Sequence, residues 1–132
     1  MISISERLLK LVGPIHVVGG LLLFAAAFSP ATLDMLKPLL VGNDDFVWSA
    51  FFVTVLGPTI ASWGILFAAL VNQFYAAPSL NLWRSLVISV VVWAPLDTIL
   101  CVRYGLSVGV TVNFIVVVAL IGLLYMAKKS IR

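Results

Sequence analysis

The stretch SLVISVVVWAPLDTILCV, residues 85–102, is followed after Arg103 by YGLSVGVTVNFIVVVALIGLLYMA, residues 104–127. Asp97 is the only charged residue inside either run. A helix needs about 20 mostly apolar residues to cross a hydrocarbon layer, and both runs are close to that length. Arg103-Tyr104-Gly105 leaves room only for a tight reversal. The two runs therefore read as antiparallel neighbours spanning a membrane.

Two more uncharged runs lie upstream, at residues 46–71 and 11–28. Closed transmembrane barrels need segments of about ten alternating residues, and Gly20–Ala27 shows no such alternation. The expected fold is an all-α integral membrane protein, a four-helix transmembrane bundle forming one domain over residues 1–132. Composition agrees. Of 132 residues, 63% are hydrophobic and 10% charged, against roughly 45–50% and 25% in soluble domains. A chain this short has too little interior to hide that much apolar surface from water. Disorder, a collagen-like rod, a disulfide scaffold and a nucleic-acid module are excluded on the same grounds. Cys101 is the single cysteine, so no internal disulfide forms.

Arg7 and Lys10 before the first apolar run, with Ala25-Ala26-Ala27 near its end as a small-residue cleavage site, resemble a signal peptide. The run exceeds the ~7–15 residues of a signal core, so it is expected to be a retained span. Cytoplasmic segments carry the excess of Lys and Arg. Arg7, Lys10, Arg84, Lys128, Lys129 and Arg132 would share one side, leaving Lys37 and Arg103 on the other. That distribution places both termini in the cytoplasm, in a bacterial-type inner membrane. The outer loop, Ser29–Asp45, has Pro30, Pro38 and Gly42 among several leucines and suits one or two short interfacial helical turns or a solvated cover. In the inner loop, Asn72–Trp83, Tyr75 and Trp83 are placed like interfacial anchors.

Helix contacts can be read from small residues, because lipid provides no hydrophobic drive between helices and small side chains let backbones approach. Thr54, Gly57, Ala61, Gly64 and Ala68 recur at alternating spacings of three and four, and Gly13, Gly20 and Ala27 at sevens. The first two helices are expected to touch along most of their length. Gly13-Pro14 with Gly20-Leu21-Leu22 also repeats as Gly57-Pro58 with Gly64-Ile65-Leu66, an offset of 44 residues. A duplicated unit would be inverted, as in many transporters. Pro14, Pro58 and Pro95 each free a carbonyl one turn earlier and predict local bends.

Asp97 is the polar group that most demands a reason, since an ionised acid deep in a span costs about 2.5–3.5 kcal/mol. Thirteen residues from Arg84, at ~1.5 Å each, put it roughly 20 Å from the inner edge. Pivoting the chain at Gly105 brings Asn113 to the same depth, where its amide could donate to the carboxylate. Trp93, Asp97 and Cys101 share a helix face, which suggests an amphiphile pocket with an indole wall and an acidic anchor, or a structural tryptophan bonded locally. His16 lies in the inner half at a depth comparable with Thr59, Ser62 and Ser89, so a hydrogen-bonded layer is feasible. A lone histidine makes no metal or haem site, and no cofactor is expected. Trp63, Asn72, Gln73 and Arg103 read as surface or capping residues. No phosphate loop, catalytic triad, paired carboxylates or zinc spacing is present.

The size and four-span pattern resemble those of small bacterial membrane proteins such as the small multidrug resistance transporters and the DoxX-like proteins. The former carry their key acid in the first helix; here that helix holds His16, the acid is in the third, and no residue role is carried over. Three functions follow from the residues. One is a binding or accessory subunit that docks to another membrane protein or holds a lipid-like ligand near Trp93 and Asp97. Another is a homodimeric, proton-coupled transporter of amphiphilic or cationic compounds using Asp97. The third is an intramembrane enzyme dependent on Asp97 or His16. Ligand-binding or proton-coupling candidates are thus Asp97, Asn113, Trp93, His16, Thr59 and Ser62; the partners are membrane lipids, a membrane protein or a second copy, and no nucleic acid.

Overall fold

The computed structural model describes residues 3–26, 28–32, 34–35, 46–103 and 105–131. Four helices account for nearly all of them: α1 (Ile4–Ala26), α2 (Phe46–Ala76), α3 (Leu80–Arg103) and α4 (Ser107–Ala127), the last continued by a 3-10 turn at Lys128–Ser130. No strand occurs among the described residues. All four regions are long and apolar enough to cross a membrane. Their outer faces are correspondingly inverted relative to a soluble protein, with Leu22, Ile65, Ile99 and Ile115 each about 60% exposed or more. Most of the outer loop expected to carry interfacial turns lies outside the described residues.

The apolar runs underestimate the helices at the end that carries both termini. α1 starts at Ile4 because Ser3 caps it: the Ser3 hydroxyl accepts the Glu6 N–H at 3.1 Å. Ser-x-x-Glu is a capping-box signature. α2 continues past Val71 through Asn72 and Gln73 because Phe74, beyond them, is wholly buried. α3 begins after Pro78, where the Ser79 hydroxyl accepts the Leu82 N–H at 3.3 Å. A helix is not obliged to stop where lipid stops, since headgroups and water can satisfy polar side chains on its final turns.

α1 and α2 form the most extensive helix contact. The glycines explain it. A Cβ on Gly13 would lie 2.5 Å from the Ala68 Cβ and 2.6 Å from the Gly64 carbonyl oxygen, and one on Gly57 would lie 2.6 Å from the Gly20 carbonyl oxygen. The expected small-residue seam is thus a direct backbone-to-backbone approach. α3 and α4 are joined by a reversal in which Gly105 takes φ 70°, its N–H donates to the Val102 carbonyl at 3.2 Å, and the Leu106 N–H reaches the Cys101 carbonyl at 2.8 Å. This pair of bonds is a Schellman motif, and its left-handed position suits glycine.

Leu9, Phe67, Val71, Phe74, Leu86, Val90, Leu120 and Leu124 make the core. Most of them come from the half of each helix nearer the termini, so the bundle is packed most densely at that end. Bonds across helices reinforce it: the Trp83 indole N–H donates to the Leu124 carbonyl at 2.8 Å, and the Tyr75 hydroxyl donates to the Ser5 hydroxyl at 3.5 Å. Toward the other end the core thins, and the polar residues of α3 and α4 appear.

Candidate functional site

Leu86, Val90 and Ala94 are buried at spacings of four on α3 and point its contact face toward the bundle. Thr98 is the next position on that face. Its hydroxyl donates to the Ala94 carbonyl at 2.8 Å. Across the seam, Asn113 of α4 is 3% exposed, and its Nδ2 donates to the Ala94 carbonyl at 3.0 Å and to the Thr98 hydroxyl at 2.6 Å. The expected pairing of Asn113 with the Asp97 carboxylate is therefore not the one formed. Gly105 sets Asn113 level with the Ala94–Thr98 turn, but depth leaves azimuth open. Asp97 sits about 100° around α3 from Thr98, and the α4 amide lands on the Ala94–Thr98 column.

This arrangement fixes the amide. Its nitrogen faces a carbonyl, so its oxygen, Oδ1, must face elsewhere. Oδ1 is buried and has no hydrogen-bond donor among the described residues. A buried acceptor left unpaired costs roughly 1–3 kcal/mol.

Asp97 is half-buried beside this seam. The Cys101 thiol lies 4.0 Å from its Oδ2, in the range of a weak S–H donor. The same sulfur faces α4, because a Cβ on Gly109 would come within 2.7 Å of it. Gly109 is one helical turn before Asn113. Asp97, Cys101, Thr98 and Asn113 thus occupy neighbouring positions of one α3–α4 seam. Lys10–Glu6 is the single ion pair among the described residues, which leaves the Asp97 carboxylate without a cation there.

Trp93 shares the Asp97 face and stacks at 6.0 Å on Trp63 of α2, the rings inclined by 30°. Trp63 stacks in turn on Phe67 at 4.8 Å and meets the His16 ring at 4.7 Å. Trp63 is therefore no surface anchor, contrary to its expected role; it links three helices. The missed signal is the spacing Trp63, Phe67, Val71, Phe74 on α2, which continues the buried face.

His16 and its expected companions do not form a polar layer. The His16 Nδ1 donates to the Val12 carbonyl at 2.8 Å. Thr59, exposed, donates to the Val55 carbonyl at 2.9 Å, and the Ser89 hydroxyl to the Leu86 carbonyl at 2.8 Å. Ser62 is exposed. Each bonded hydroxyl, like the imidazole, returns to its own helix because a carbonyl three or four residues back is always in reach, whereas a partner on another helix must happen to face it. Among the described residues no three His, Cys, Asp or Glu side chains converge as a metal site.

On the lipid side of the Ala94–Thr98 column lies a shallow groove of about 490 Å³ between α3 and α4, walled by Val91, Pro95, Ile99, Phe114, Val117 and Ile121. It is wide and apolar. The fold and site together define a small polytopic helical membrane protein with a polar seam in the half of the bundle away from its termini. No protein-family model, curated protein or solved structure matches the chain.

Proposed function

We propose that the chain is a binding or accessory subunit that holds a lipid-like ligand beside Trp93 and Asp97. The observation that carries this reading is the Asn113 Oδ1, an acceptor kept buried without a donor at a cost that an apolar residue would not incur. With Asp97 half-buried next to Thr98 on α3, the seam offers acceptors to a ligand that brings hydrogen-bond donors, and Trp93 offers an aromatic wall. The ligand-holding form is favoured over docking through small-residue faces, because Gly13, Gly20, Gly57 and Gly64 are already consumed between α1 and α2. The bundle is proposed to lie in a bacterial-type inner membrane with both termini cytoplasmic, its outer loop forming interfacial turns.

Native mass spectrometry of the protein released from membranes tests the reading. A retained lipid-like adduct is expected on the wild type and is expected to be lost from Trp93→Ala and Asp97→Asn. Bare wild-type protein, or an adduct indifferent to both substitutions, refutes it. The unpaired Asp97 carboxylate also favours a second reading, a homodimeric proton-coupled transporter of amphiphilic or cationic compounds. Under that reading Asp97→Asn abolishes proton-coupled flux in liposomes, and unchanged flux removes it.

A further inference from the structure

The end of the bundle carrying the termini is far more positive than its packing requires. Six of the eight basic residues of the chain belong there by sequence, with Glu6 as the sole acid. Glu6 is spent on Lys10, whose Nζ lies 2.7 Å from Oε1. Arg84, Lys128 and Lys129 have no acid partner among the described residues.

Arg84 is far in sequence from the adjacent pair Lys128 and Lys129, and the fold brings its helix end to theirs. Trp83, at the start of α3, anchors itself to the end of α4 through its N–H bond to the Leu124 carbonyl. With the N–H so engaged, the ring face is left to Lys128, whose Nζ stands 4.8 Å above its centroid. Arg84 follows Trp83 directly, and the 3-10 turn at Lys128–Ser130 keeps Lys129 beside Lys128, all three being exposed. Leu86 and Leu124, wholly buried beneath, hold the two helix ends in register. An indole at the end of a membrane-spanning helix sits at headgroup depth, and exposed Leu80 and Met126 lie nearby along the two helices as apolar contacts.

We propose that Arg84, Lys128 and Lys129, at the helix ends that Trp83 ties together, form a binding site for the phosphate of an anionic phospholipid headgroup. Charge complementarity selects the anion, and the depth of the indole, with apolar surface below it, selects a lipid over a dissolved ion. Basic pockets between helix ends have this use elsewhere. The site is at the opposite end of the bundle from Asp97 and is independent of the function proposed above.

The test uses the full chain in nanodiscs of equal phosphatidylglycerol and phosphatidylcholine, followed by native mass spectrometry of the lipid retained on release. Wild type is expected to retain phosphatidylglycerol preferentially. Replacing all three cations by glutamine should reduce that preference on the order of a hundredfold, with helicity unchanged because the residues are exposed. Arg7→Gln, at the same end but outside the cluster, should keep the preference, and Lys129→Gln alone should weaken it. Equal retention of the two lipids by wild type overturns the proposal. So does a loss in Arg7→Gln as large as in Lys129→Gln, which would reduce the effect to overall charge, or displacement of the lipid by millimolar inorganic phosphate, which would make the site one for free anions.

Discussion

Replacing Gly20 by alanine adds one methyl group at the tightest of the described glycine contacts. The added Cβ would run into the Gly57 carbonyl oxygen and would lie 2.6 Å from the Ala61 nitrogen and 3.0 Å from the Ala61 Cβ. The first two are backbone atoms, so no rotamer change relieves them. Ordinary contact begins near 3.4 Å, and α1 and α2 must separate locally by roughly 1 Å, a gap that forfeits a quarter to a half of the dispersion attraction at each affected contact. Overpacking of this kind costs typically ~1–3 kcal/mol, and the middle of that range lowers the folded-to-unfolded ratio about 30-fold. Gly19→Ala is the internal control. A Cβ there has nothing within 4 Å, and the substitution should be neutral or stabilise the helix by up to ~1 kcal/mol. Unfolding by SDS titration in mixed micelles, followed by far-UV circular dichroism, measures both. Gly20→Ala unfolding no earlier than wild type, or Gly19→Ala falling as far as Gly20→Ala, would refute the backbone-contact account of the α1–α2 seam.

Three further outcomes follow from single groups. Asn113→Leu removes the unpaired Oδ1, worth roughly 1–3 kcal/mol, and forfeits interhelical bonds averaging about 0.6 kcal/mol each in membranes; the Thr98 hydroxyl continues to serve the Ala94 carbonyl. Stability in the same titration should hold or rise while the proposed ligand adduct disappears, and a loss beyond ~1 kcal/mol would show that Asn113 is structural. Trp83→Phe keeps a ring under Lys128 but loses the bond to the Leu124 carbonyl, which retains the Lys128 N–H; the expected cost is about 0.6 kcal/mol, read from the SDS midpoint, and a cost above ~2 kcal/mol contradicts that assignment. For His16, nitrogen-15 NMR should find the proton of the neutral ring on Nδ1, since that atom faces the Val12 carbonyl; a proton on Nε2 would overturn the contact.

Much of the site was legible only in depth. Counting residues from Gly105 correctly brought Asn113 opposite the Asp97 region, because α3 and α4 rise equally per residue from a shared turn. It chose the wrong partner, since neighbouring residues on a helix differ by about 100° in direction and only packing decides which one faces α4. Ala94 and Thr98 do, continuing the buried Leu86–Val90 face. Trp63 was misread for a related reason. Tryptophan suits both interfaces and interiors, and its stacking on Phe67, His16 and Trp93 depends on where α1 and α3 lie around α2. Thr59, Ser89 and His16 each bond within their own helix, and Ser62 is exposed.

The sequence by itself determined the solvent, the helical class and the close meeting of α1 with α2. Those features depend on composition, run length and the absence of side chains at fixed intervals, all of which are properties of the chain before it folds. Tertiary structure alone decided that the Asn113 amide serves Ala94 and Thr98, that Trp63 joins three helices, and that Lys128 stands over the Trp83 indole. Such contacts depend on how each helix is rotated about its own axis. That rotation is set by the packing of every neighbour at once, and no local stretch encodes it.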